Sequence, residues 1–196
     1  MKEATYMSSF FAYISRMKFI KRWGLMRNIY EENIQEHSTQ VAMIAHNLAI
    51  VENKLYGGDY DANYIMVLAL YHEASEIITG DLPTPIKYFN PKINIEYKKI
   101  EKIAENKILN MLPMELIEDY QEIIIQPNDK NHKIVKAADK LAAYTKCIEE
   151  LSAGNHEFVR AEVTIRKAIE SIELKSVKYF MDTFMENFKL TLDELN

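Results

Sequence analysis

The chain is short of everything that staples, turns or inserts a protein. Its one cysteine, Cys147, allows no internal disulfide, so a reducing, cytoplasmic setting is expected. Five glycines and five prolines are too few for a fold of many tight turns and favour long helices instead. No apolar run approaches the ~20 residues of a membrane span, and no signal-peptide pattern follows Met1, so no membrane role is expected. Positive charge is not in excess either. Lys and Arg number 24 against 29 Asp and Glu, and the net charge of -5 argues against a nucleic-acid polymer as partner. A small anion held by one or two local cations remains compatible with that balance. There is no internal repeat, low-complexity tract or linker. A composition 48% hydrophobic and 27% charged suits a single globular domain over residues 1–196, with a sizeable core.

Hydrophobic spacing predicts helices over residues 8–21, 34–54, 61–78, 92–111, 115–124, 130–151, 158–171 and 176–188. Ile123-Ile124-Ile125 is the only strand-like run and is too short for a sheet, so an all-α bundle is expected. Residues 81–91 read as a proline-interrupted loop, too stiff for a helix, that could wall a ligand pocket or simply connect. Lys87 is its only cation. Tyr179, Phe180, Phe184 and Phe188 on the last helix suit core or a dimer face.

The segment 61–78 carries the chemistry. Asp61 is a fitting N-cap and Gly80 a fitting stop. Ile65, Leu68, Ala69, His72, Glu76 and Thr79 share one face, and a helix this apolar is expected to be buried. It nevertheless holds His72, Glu73 and Glu76. Unpaired buried charge costs several kcal/mol per ion, and a metal cation is one economical compensation. A core histidine flanked by two surface glutamates is the competing reading. His37 points inward with Val41, Ile44, Ala45 and Leu48. Asp139 lies among Ala137, Ala138 and Ala142, where a partner helix can approach; pairing with Lys136 or Lys140 is its plainer use. From His37 to His72 is 35 positions, and from Glu73 to Asp139 is 66. Two imidazoles and two carboxylates suit a divalent transition metal. Arg22 and Trp23, the only tryptophan, could clamp an anion and stack a base, or form a packing corner. His46, His132 and His156 show no partner pattern.

His…His-Asp…Asp across a helical bundle is the signature of the HD-domain metal-dependent phosphohydrolases, which this chain resembles. Arg22-Trp23, Leu25-Met26-Arg27, Glu36-His37-Ser38, Tyr71-His72, Ala74-Ser75-Glu76, the run from Thr79 to Pro85, Lys87-Tyr88-Phe89-Asn90 and Lys136-Ala137-Ala138-Asp139 look like the bacterial HD-domain 5′-deoxynucleotidases. The resemblance covers essentially the full length. It implies hydrolysis of deoxyribonucleoside 5′-monophosphates by a homodimer, with one divalent ion, cobalt, manganese or similar, in each chain. Carried over by position, it implies His37, His72, the residue at 73 and Asp139 as metal ligands. Glu76 and Asp81 are implied in catalysis, with Arg22, Trp23, His37 and Asp81 near the substrate. Lys87 is a further cation for the phosphate.

One position departs from the family pattern: Glu73 stands where the family has Asp. Glu keeps the charge but moves the carboxylate by ~1.5 Å, and a misplacement near 1 Å can cost ~100-fold in rate. A nucleotide-binding HD-domain protein with weak or no turnover is therefore the alternative expectation. A third is a different HD phosphohydrolase acting on other phosphoesters.

Overall fold

The structure, a computed structural model, describes residues 7–87 and 89–195. Its α-helices are α1 (Phe10–Ile14), α2 (Ile34–Tyr56), α3 (Ala62–Tyr71), α4 (Glu76–Thr79) and α5 (Thr84–Lys87). They continue as α6 (Pro91–Leu109), α7 (Ile117–Ile124), α8 (Lys130–Ser152), α9 (Val159–Glu170) and α10 (Lys175–Thr183). There is no strand among the described residues, only an isolated antiparallel bridge between Lys21 and Asn33. None of the described helices is long and apolar enough to cross a membrane.

The helix starts follow from local chemistry. Asn33 accepts from the backbone of Gln35 and Glu36, and the Glu36 side chain returns to the Asn33 N–H, a reciprocal capping box that opens α2. Gly57, at φ 72°, closes α2 in the left-handed conformation that glycine adopts without strain. Asp61, Asn90 and Asp129 cap α3, α6 and α8 in the same side-chain-to-backbone manner.

Helix α2 packs against α3 and α8, and α9 and α10 flank them. Val41, Leu48, Ile65, Leu68, Ile134 and Leu141 are fully buried between these elements. A second cluster, including Phe10, Ala74, Ile108 and Ile124, forms where α1, α6 and α7 meet the segment after α3. The residues linking α3 to α4 thus run between two separate apolar cores.

Four expectations from the sequence need correction. Residues 61–78 are not one helix: α3 stops at Tyr71 and α4 starts at Glu76. Between them Ala74 N–H bonds Tyr71 O at 2.9 Å and Glu76 N–H bonds Glu73 O at 3.0 Å, a three-residue pitch. The apolar pattern is satisfied at either pitch, so periodicity could not reveal the change. Residues 8–21 likewise give a short α1 followed by a 3₁₀ turn, Ser15–Phe19. The 81–91 loop contains a helical turn, α5, because Pro85 sits in the first turn, where a missing N–H costs nothing. Residues 176–188 are likewise not one helix: α10 stops at Thr183 and a 3₁₀ turn, Met185–Lys189, follows, whereas the Ile123-Ile124-Ile125 run forms no strand, as expected, and closes α7. As for the closing aromatics, Phe180 is buried and Phe184 and Phe188 pack on the main core, which is the core use of that helix.

Candidate active site

Three parts of the chain converge on one point. His37 comes from the first turn of α2, His72 and Glu73 from the tightened segment after α3, and Asp139 from the middle of α8. Ala137, Ala138 and Ala142 are at most 1% exposed and are small enough to let the facing helices approach. One ligand atom from each of His37, His72, Glu73 and Asp139 lies within 4.8 Å of the others.

The tautomer of His72 is fixed. Its Nδ1 lies 2.7 Å from the Ala69 carbonyl, which can only accept, so Nδ1 carries a proton. Nε2 is left facing the cluster, 3.2 Å from Glu73 Oε1. His37, wholly buried, brings Nε2 to 3.0 Å from Asp139 Oδ1, and the two imidazole rings are 5.5 Å apart. His37 Nδ1, His72 Nε2, Glu73 Oε2 and Glu76 Oε2 are all buried without a hydrogen-bond partner. Buried polar atoms are nearly always partnered, and orphans gathered in one cluster need an explanation. A divalent cation ligated by two imidazoles and two carboxylates would engage His72 Nε2 and a Glu73 oxygen directly, so the residues present fit a metal.

The protons of the metal-free chain report the same field. Burial pushes Asp139 up, but His37 and His72 outweigh it and hold the group at about 2. Burial acts likewise on Glu73, and His72 and Arg22 hold it well below the usual carboxylate range. Glu76 has no such relief: burial first, then the charges of Glu73 and Asp81, push it up to about 11. The cause of its placement is the tightened pitch, which brings residues three apart into eclipse and turns Glu73 and Glu76 to one side. Burial lowers His72, yet Glu73 and Asp139 raise it on balance.

A cavity of about 190 Å³ adjoins the cluster. Its wall includes His72, Glu73, Glu76 and Asp139 together with Lys87, Glu101, His132 and Lys136. Lys87 lies 3.4 Å from Glu101 and 5.3 Å from the centre of the Tyr97 ring, so α6 holds the proline loop's cation at the cavity. His132 is on this wall, although its sequence context showed no pattern. The signal was there at longer range: His132, Lys136 and Asp139 fall at i, i+4 and i+7 on one face of α8.

Arg22 and Trp23 lie behind the ligands and not on the cavity wall. Arg22 Nη1 is 4.0 Å from Glu73 Oε1, and Nε is 3.0 Å from Glu32 Oε2. The Trp23 indole N–H donates to the same oxygen at 2.9 Å, and its ring lies 5.3 Å from that of Phe158. Trp23 is therefore a packing corner that also abuts the site. Asp81 makes no hydrogen bond among the described residues; burial raises it, and Arg22 and Glu73 are its main charged neighbours. Glu32 had no distinguishing sequence signal, because its partners are nine and ten residues upstream across a loop.

Residues 9–188 match the family described as 5′-deoxynucleotidase YfbR-like. A 5′-deoxynucleotidase of Photorhabdus laumondii is 53% identical, covering 97% of this chain and 98% of its own length. That of Vibrio vulnificus is 50% identical, with 96% and 98% covered. Among solved structures, an HD-domain phosphohydrolase from Listeria innocua superposes with a TM-score of 0.76 at 24% identity, covering 92% of this chain and 88% of that one. The cyanophage S-2L HD phosphohydrolase DatZ, solved with dA and one catalytic Zn2+ ion, gives 0.63 at 20% identity, with 92% and 96% covered. At these identities the two structures speak for the fold.

Proposed function

The chain belongs to the YfbR-like 5′-deoxynucleotidase family, and from that premise we propose that it hydrolyses deoxyribonucleoside 5′-monophosphates to deoxynucleoside and phosphate. It does so as one cytoplasmic domain with one divalent transition-metal ion per chain, held by His37, His72, Glu73 and Asp139. The observation that carries this reading is the group of buried, unpartnered donor atoms beside a cavity lined by Lys87 and Lys136. Nothing favours a binding-only protein.

When bound, such an ion polarises a phosphoryl oxygen and lowers the pKa of a water molecule. The chain supplies the rest. Arg22 and Lys87 offset the charge of a phosphate dianion that Glu73 and Asp139 would otherwise repel. Glu76, whose proton affinity burial raises, moves a proton between the attacking water and the leaving 5′-oxygen. Asp81, which burial also raises, takes the catalytic and substrate-binding role that the family resemblance implies. Trp23, off the cavity wall, is the packing corner beside Arg22.

Phosphate release should be measured across deoxy- and ribonucleoside 5′-monophosphates with cobalt, manganese, zinc and magnesium. Turnover restricted to deoxy substrates in the presence of a transition metal is expected. Absence of release with every metal would overturn the reading. A homodimer is proposed on family grounds, and light scattering at micromolar concentration tests it.

A further inference from the structure

We propose that Glu32 is a positioning residue whose single carboxylate holds the Arg22–Trp23 pair in register with the metal ligand His37. The inference rests on the site reading above for its meaning, but its geometry stands independently.

The loop between the first 3₁₀ turn and α2 is closed at its stem. Arg22 N–H donates to Glu32 O at 2.9 Å and Ile34 N–H to Ile20 O at 3.0 Å, which sets Glu32 opposite Arg22. The Glu32 side chain is 11% exposed. Its Oε2 accepts from Arg22 Nε at 3.0 Å and from Trp23 Nε1 at 2.9 Å. Its Oε1 faces His37 Nδ1 at 3.9 Å, one of the orphaned buried atoms. One carboxylate therefore adjoins three residues assigned to two different tasks.

Two details make this more than a chance contact. With Nε committed to Glu32, the Nη atoms are what Arg22 has left for an anion, and Nη1 is the end directed at Glu73. Trp23 is also the only described non-glycine residue at positive φ, 58°. A bulky residue rarely adopts that conformation unless its surroundings fix it. The indole bond to Glu32 is one fixing contact, and the Phe158 ring is the other. Glu32 is not on the cavity wall; it acts through its hydrogen bonds to Arg22 and Trp23, with His37 Nδ1 close by but outside hydrogen-bond distance.

Trp23 is the sole tryptophan, so its fluorescence reports this loop without any substrate. In Glu32→Ala, emission should shift to the red and acrylamide quenching should rise, in enzyme whose circular dichroism is unchanged. KM for a deoxynucleoside monophosphate should rise about tenfold or more, with kcat within about threefold, as expected for loss of hydrogen bonds to a charged group. Glu32→Gln keeps an acceptor for the indole and loses the charge against Arg22, so near-wild-type emission with a severalfold higher KM is expected. Unchanged emission and quenching in Glu32→Ala, or a loss confined to kcat, overturns the proposal. Should Glu32→Ala fail to fold, an unchanged KM in Glu32→Gln does so. A wild-type chain without nucleotidase activity would sink the proposed function while the fluorescence still decided the role of Glu32.

Discussion

Helix α8 carries two carboxylates, Asp139 and Glu150, eleven residues apart, in sites built to opposite specifications. At its C-terminal end Glu150 is 0% exposed and fully engaged. It accepts from the backbone of Ile29 and Tyr30 at 2.9 Å each, from Asn155 Nδ2 at 2.7 Å, and from Lys146. Lys146 in turn bonds the Tyr30 carbonyl. Every charge there has its counter-charge, and the result is to fasten the 27–30 loop to the bundle. Three turns earlier, around Asp139, four buried polar atoms have no hydrogen-bond partner. A charge network that serves only the fold closes on itself. One that serves a ligand is left incomplete, and its unfilled valences mark where the ligand goes.

The strongest test of that contrast removes the ligand. EDTA treatment, or His72→Ala, should lower phosphate release by ~10³-fold or more while helical circular dichroism persists, because the Asp139 site is not what holds the bundle together. Activity surviving in protein verified as metal-free would erase the distinction. Next in size, Glu76→Gln should reduce kcat by ~10²–10⁴-fold with metal content unchanged by elemental analysis. Metal lost along with the carboxylate would place Glu76 among the ligands.

The Glu150 end should respond in stability. Glu150→Gln leaves Lys146 charged, buried and short of its counter-ion, a loss of ~3–5 kcal/mol in urea unfolding. The pH dependence has a definite sign. Burial opposes ionisation of Glu150, but Lys146 and the Ile29 N–H outweigh it and depress the group from 4.5 to about 2. Its contribution is complete above the unfolded value near 4.5 and is lost as pH falls toward about 2. Wild type and Glu150→Gln should therefore converge in stability across that acid window. A constant gap between them would show that charge is not the basis of the pair.

The smallest effect is expected at the departure from the family pattern. Glu73→Asp should keep the metal and turn over deoxynucleoside monophosphates at least as fast as wild type, by less than ~10-fold, since in-line transfer depends on alignment that a longer side chain shifts. Glu73→Gln should weaken metal binding by removing charge at nearly constant shape. A clearly slower Glu73→Asp enzyme would mean that the site is adapted to glutamate.

The helical fold was legible because burial writes a 3.6-residue period into α2, α3 and α8. His37, His72, Glu73 and Asp139 were legible for a related reason: each interrupts an otherwise apolar face, and the resemblance assembled them. Three things were not. The change of pitch after Tyr71 left no trace, because both pitches satisfy the same apolar pattern. The turn at Thr84–Lys87 was obscured by prolines that break a helix interior but suit its first turn. Glu32, Glu101 and His132 come to the site through contacts across loops or along a full helix face, which no local window spans.

The donors of the cluster come from residues 37, 72, 73 and 139, a span of 102 residues. A chelate built on one turn can load while the rest of the chain is still disordered; this one requires α2, the end of α3 and α8 to be docked first. An ion held there closes two long loops at once, and any breathing motion that parts α2 from α8 lets it go. Affinity for the ion is consequently a gauge of how firmly the bundle is shut. A cavity made in the apolar core that joins α2 to α8, at Leu48 or Leu141, will be felt at the cluster as faster metal escape.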